Sequence, residues 1–253
     1  MKKSLIVIIS LMVFIPAIHA IDYPAWFLYP RLYPRFIIGF SYKGNPPVTD
    51  AEVMYCVYKH CEVEGYIETI SNNNLNFVKN TQYHYVYPFE DLKWIEGKLY
   101  RQDRFVLSVI SNDYVEAFTT QQDVLFVKKA YSQDSIPAPS WITKTTWEDN
   151  EYYYGVGINT SRENPSESWK NSEEQAVYAI LTSISMKFYS FSYLTANENL
   201  KIEELTQYTR TDIKFTVASI QTQERFPDLK NEQNYTLVRI RKSNVIPLSF
   251  DLN

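Results

Sequence analysis

Cys56, His60 and Cys61 come nearest to a chemical motif, because soft sulfur and imidazole ligands close in sequence can hold zinc. On a helix Cys56 and His60, at i and i+4, share a face, whereas Cys56 and Cys61 lie about 140° apart. Three ligands cannot converge from one helix, and structural zinc wants four. The cysteines therefore read as small core hydrophobes, and no metal site is expected. A disulfide between them is disfavoured within a regular helix. It becomes possible if the helix ends near Tyr58, where an oxidising compartment would favour it.

Adjacent acids recur at Glu90 and Asp91, Glu148 and Asp149, Glu173 and Glu174, and Glu203 and Glu204. Hydrolysis needs two carboxylates placed across a substrate, which adjacency does not supply, so solvated helix or loop positions are expected. Past the N-terminal segment, His60 and His84 lack a neighbouring Gly-x-Ser-x-Gly elbow. Gly155 and Gly157 begin like a dinucleotide fingerprint, but position 160 is Thr and a charged loop follows. No catalytic, cofactor-binding or metal residue is expected. The chain reads as a binding or scaffolding protein, not an enzyme.

Behind these residues lies a duplication. Pro24, Ala25, Trp26, then Phe36, Ile37, Ile38, Gly39, then an amphipathic helix, recurs as Pro139, Ser140, Trp141, then Tyr152, Tyr153, Tyr154, Gly155, then a second such helix. In the second copy the helical pattern runs from about Ser168 to Phe191, with Pro165 suited to a first helical position. At 100° per residue Trp169, Ala176, Val177, Ile180, Leu181 and Ile184 share a broad apolar stripe, continued by Phe188 and Phe191, on which Lys187 intrudes. In the first copy Val53, Met54, Val57, Tyr58 and Cys61 take the register of Ala176, Val177, Ile180, Leu181 and Ile184. Thr49 with Glu52 and Ser172 with Gln175 have the spacing of capping boxes.

Strands follow each helix. Ile213, Phe215 and Val217 alternate with polar or small residues, and Tyr235 to Arg241 is a second β-rich run, together a hairpin signal. In the first copy Tyr66 to Ile70 and Leu75 to Val78 flank the turn residues Ser71 to Asn74, and Lys98 to Ile110 reads as a final strand. Asp123 to Val127 could add one more, ahead of an extended linker fixed by Pro137 and Pro139. A one-faced helix and an alternating sheet each need a cover, and they meet as a two-layer unit. The fold class expected is α+β, with tandem two-layer units, each a helix packed on an antiparallel sheet. The divisions are 21–115, a linker at 116–138, 139–245, and a tail at 246–253.

Lys2 and Lys3, apolar runs from Leu5 to Ile9 and Leu11 to Ile15, then Pro16 and Ala20 have the layout of a secretory signal peptide, residues 1–20, cut after Ala20. A membrane anchor needs about 20 apolar residues, more than this segment offers before Asp22 and Pro24. No Cys follows the run, so no lipid anchor is expected. The 25 basic and 29 acidic side chains lose Lys2 and Lys3 with the leader, which leaves a formal charge of −6. That balance argues against nucleic-acid binding, which rests on neutralising phosphates. The 21 tyrosines favour sheet and, more weakly, a ligand face.

The second unit resembles the bacterial lipoprotein-20 family and the related N-terminal domain of the flagellar assembly accessory protein T. The likeness is carried by Pro139, Ser140, Trp141, by Tyr153, Tyr154, Gly155, Val156, Gly157, by the helix around Glu174, Gln175, Ala176, and by Tyr235 to Ile240. It implies a small helix-on-sheet domain of the cell envelope with no established enzymatic role. This chain departs from the family in lacking the lipid-attachment Cys and in its aromatic helix. The function expected is an exported periplasmic or envelope protein that binds another envelope component. A module binding a glycan or a small ligand through Tyr152, Tyr153 and Tyr154 is the alternative, and a divergent hydrolase a third. Trp26 and Trp141 read as lids on each core, with a binding role for the first left open by Tyr23, Phe27, Tyr29 and Tyr33.

Overall fold

Gly39 and Gly157 set how helix meets sheet. A Cβ on Gly39 would lie 2.0 Å from the Pro47 carbonyl oxygen and 2.2 Å from the Ala51 nitrogen. One on Gly157 would lie 1.8 Å from the Ser172 carbonyl oxygen and 2.5 Å from the Ala176 nitrogen. In each half, then, strand and helix backbones touch where only glycine fits. The recurring contact makes Ala51, and not Val53, the counterpart of Ala176, a two-residue shift from the register that side-chain types suggest.

A computed structural model describes residues 22–34, 36–42, 44–72, 75–87, 98–102, 105–111, 130–132, 136–160, 164–196 and 207–252. The first half runs β1 (Asp22–Pro24), the one-turn helix α1 (Ala25–Leu28), β2 (Phe36–Phe40), α2 (Pro47–Lys59), β3 (His60–Asn72), β4 (Leu75–Val86), β5 (Lys98–Gln102) and β6 (Phe105–Ser111). The short β7 (Ala130–Ser132) pairs back on β1. The second half runs β8 (Thr146–Glu148), β9 (Tyr152–Thr160), α3 (Pro165–Ala196), β10 (Gln207–Ala218), β11 (Gln221–Asp228), β12 (Gln233–Arg241) and β13 (Val245–Leu252). The signal-peptide segment, Glu90, Asp91, Asp123 to Val127, Glu203 and Glu204 lie outside the described residues, as do the side chains of Phe188 and Phe191.

The fold is α+β, with antiparallel pairing throughout the described sheets. Helix α2 lies on the sheet β2-β6-β5 and α3 on β11-β12-β9-β8, each a helix-on-sheet layer. A third sheet, in the order β13-β10-β3-β4, draws on both halves. Its centre is β3 against β10, from His60 opposite Ala218 to Ser71 opposite Gln207. The strand that leaves each helix thus pairs with its counterpart in the other copy. A shared core results, where Val57, Cys61 and Val63 of the first half meet Ile180, Leu181 and Phe215 of the second. The repeat is preserved within each layer, and the interior is held in common.

This pairing changes several strand assignments. The expected hairpin of β10 with β12 is instead β11 with β12, because the apolar face of β10 is buried against β3 and β13. Lys98 to Ile110 holds two antiparallel strands, β5 and β6, paired with Gln102 opposite Phe105. The residues read as a tail form most of β13, which pairs with β10. Helix α2 starts at Pro47 behind Pro46, so Thr49 sits inside it and caps nothing. Helix α3 starts at Pro165, and Asn164 Oδ1 accepts the Glu167 N–H at 3.2 Å, a side-chain cap about two turns earlier than Ser172. Ser172 lies within the helix and its hydroxyl is 2.7 Å from Thr236 Oγ1. Trp26 is 2% exposed in a second cluster with Phe27, Phe40 and Trp169, so it belongs to the core and presents no binding surface.

Candidate functional site

Strand alternation splits the three tyrosines of β9 between two faces. Tyr153 follows Gly155 and Gly157 onto the α3 side, where Lys187 and Lys242 lie 6.0 Å and 5.3 Å from its ring centre. Tyr152 and Tyr154 point the other way. On that outer face Trp147, opposite Tyr154 in the β8–β9 ladder, stacks on it with centroids 4.9 Å apart and planes within 2°. Lys144 covers the Trp147 ring at 4.8 Å. From β12, Arg239 and Arg241 bring their guanidinium carbons 4.3 Å and 5.5 Å from the Tyr152 ring centre. Period-two alternation from Tyr235 to Arg241 places both arginines on one face, a signal present in the sequence itself.

The rim of this face is built by Asp149. Its Oδ1 accepts the N–H groups of Glu151 and Tyr152 at 2.8 Å and 2.7 Å, and its Oδ2 accepts the Tyr154 hydroxyl at 2.8 Å. Those backbone donors hold the Asp149 carboxyl below its ordinary range. Burial, with Asp149 beside it, pushes the Tyr154 hydroxyl up. The outcome is a shallow depression lined by Asp149, Tyr152, Tyr154 and Arg239, with the far end of the same sheet face closed by Trp141, Phe226 and Leu237. Donors and acceptors stand around flat rings here, an arrangement suited to recognition. Beyond Arg239 the surface continues into a cleft beside β11.

Glu173 and Glu174 are not the solvated pair expected. Glu173 is 2% exposed and bonded to Arg225 of β11, and Glu174 is 3.6 Å from the buried Lys170. Burial pushes both carboxyls above the ordinary range, and the adjacent cations pull against it. The acids are inside because Arg225 and Lys170 are their partners; Lys170 stands four residues before Glu174 on the same helix, whereas Arg225 comes from β11 and is invisible to a local pattern. Glu148 does reach the surface, bonded to Lys187 at 2.8 Å and Lys242 at 3.1 Å, which gives the intruding lysine of the α3 stripe its place at an edge.

Cys56, His60 and Cys61 do not converge. Helix α2 ends at Lys59, His60 opens β3 and is exposed, and Cys61 follows it with its side chain in the shared core. Both thiols are buried and unbridged, and burial pushes that of Cys61 up to about 12. His84, on the outer face of β4, lies 3.5 Å from Glu64, itself paired with Lys214. Among the described residues no three metal-ligating side chains gather, and no helix is long and apolar enough to cross a membrane.

No family model, no curated protein and no solved structure matches the chain.

Proposed function

We propose that this chain is a non-enzymatic binding or scaffolding protein, exported to the bacterial periplasm or envelope and akin to the lipoprotein-20 family. The observation that carries this reading is the open face of Tyr152, Tyr154 and Trp147 flanked by Arg239 and Arg241. Aromatic side chains and arginine are the residues from which binding hot spots are made. The buried charges support the same reading, since Glu173 and Arg225, and Asp50 and Lys170, are engaged with each other. The partner is another envelope component. A photo-crosslinking residue at the exposed position 241 should capture it in the native envelope, and Tyr152→Ala should abolish capture. Fractionation of the chain to the cytoplasm would refute the reading.

A glycan is the second reading, favoured by the depression in which Asp149 and Arg239 stand beside two tyrosine rings. Sugar recognition needs flat apolar surfaces next to groups that hydrogen-bond hydroxyls. Carbohydrate pull-down unaltered by Tyr152→Ala and Tyr154→Ala would remove it.

A further inference from the structure

The turn Pro30–Leu32 of the first half lies along the edge of β11, and a cleft of about 310 Å³ opens between them, the size of a small-ligand site. Its charges leave one cation in excess. Arg31, Arg225 and Arg239 line it, and Glu173 is the one carboxylate among its described lining residues. Glu173 is committed to Arg225, and Arg31 pairs with Glu224 at 2.6 Å, which leaves Arg239, its Nε donated to Gln221 Oε1 at 2.9 Å, as the excess positive charge toward an anion. Arg225 also donates Nη1 to the Phe27 carbonyl at 2.8 Å, while its buried Nε has no hydrogen-bond partner among the described residues. A buried guanidinium N–H without an acceptor is costly, and Arg225 bears that cost at the wall of the cleft.

The remaining walls narrow the chemistry. The ladder between β11 and β12 shifts register between Thr222 and Glu224, a bulge of the kind that re-aims side chains beside sites, and Gln221 and Gln223 both line the cleft. Each amide both donates and accepts. Tyr33 and Phe36, stacked with centroids 5.7 Å apart, form an aromatic wall together with Tyr58, whose hydroxyl is 3.2 Å from Thr222 Oγ1.

Given that this chain is a binding protein, we propose that the cleft takes an acidic sugar, a pyranose ring bearing a carboxylate. Forked guanidinium groups match a carboxylate, the amides match ring hydroxyls, and the aromatic wall covers the apolar face of the ring. A bare inorganic anion leaves the wall uncovered, and a neutral sugar leaves the excess positive charge at Arg239 unbalanced.

Calorimetric titration of the full chain with glucuronate, with glucose and sulfate as comparators, tests this. Glucuronate should bind at least about tenfold more tightly than either comparator, and Arg31→Ala should weaken it by about tenfold or more. Because Arg31 is half exposed, the unfolding midpoint should barely move. Arg225→Lys keeps a cation for Glu173 and removes the fork, so binding should fall. Should that variant fail to fold, Arg31→Ala and Gln221→Ala decide. Glucuronate bound no better than glucose, or with unchanged affinity in Arg31→Ala, overturns the proposal. Glucuronate unbound while envelope capture at position 241 persists overturns it too and leaves the binding function standing. Glucuronate bound after capture has failed supports the cleft and refutes the envelope partner.

Discussion

Lys170 on α3 reaches Asp50 on α2, Nζ to Oδ1 at 2.9 Å, with the two side chains 4% and 8% exposed. The other oxygen of Asp50 accepts the Phe40 N–H at 2.8 Å. One carboxylate therefore joins both helices and the first strand of β2-β6-β5, across the boundary between the copies. Breaking such a pair strands a buried charge. Lys170→Met should cost about 3–5 kcal/mol in urea denaturation, and adding Asp50→Asn, which keeps an acceptor for Phe40, should recover part of it. A loss near zero would show the pair to be dispensable.

Glu173 predicts a slope of stability with pH. Burial raises its carboxyl in the folded chain above the ordinary 4.5, so between those two values the folded state holds more proton than the unfolded. Its contribution is fully present below about 4.5 and is lost as pH rises through the raised value. Glu173→Gln removes the titration. The unfolding-midpoint difference, wild type minus variant, should shrink as pH rises through that window, and a constant difference would contradict the raised carboxyl.

Two glycines should respond differently to alanine. Gly157→Ala drives a Cβ to 1.8 Å from the Ser172 carbonyl oxygen, so helix and sheet must separate, at a cost of about 1–3 kcal/mol or more. Gly44→Ala meets nothing within 4 Å and bears only its φ of +80°, about 1–2 kcal/mol. Denaturant midpoints, with circular dichroism to confirm folding, compare them.

The split of the tyrosines separates binding from stability. Tyr152→Ala should impair envelope capture and change stability little, whereas Tyr153→Ala, on the α3 side and packed against the shared core, should lower the unfolding midpoint and spare capture. Equal effects of both on capture would mean that the alternation does not define the site.

The thiols report on the core. With Cys61 buried and its thiol pushed up to about 12, the native chain should react slowly with a thiol probe at pH 8, and two thiols should titrate once denaturant is added. Fewer than two after denaturation would reveal a bridge.

Local periodicity alone determined the two helices and the alternating strands, because each depends on side chains within a few residues of one another. The stripe from Ala176 to Ile184 and the alternation of Ile213, Phe215 and Val217 are of this kind. Tertiary structure decided the rest. Nothing local tells β10 to pair with β3 when β12 would equally cover its edge, since a ladder is sequence-neutral and the choice rests on which apolar faces fit one interior. Glu173 looks solvated until Arg225 arrives from 52 residues away, and the cleft exists only because a turn near residue 31 lies along a strand near residue 223. Charges and clefts of this sort depend on distant partners in three dimensions, which a linear pattern does not encode.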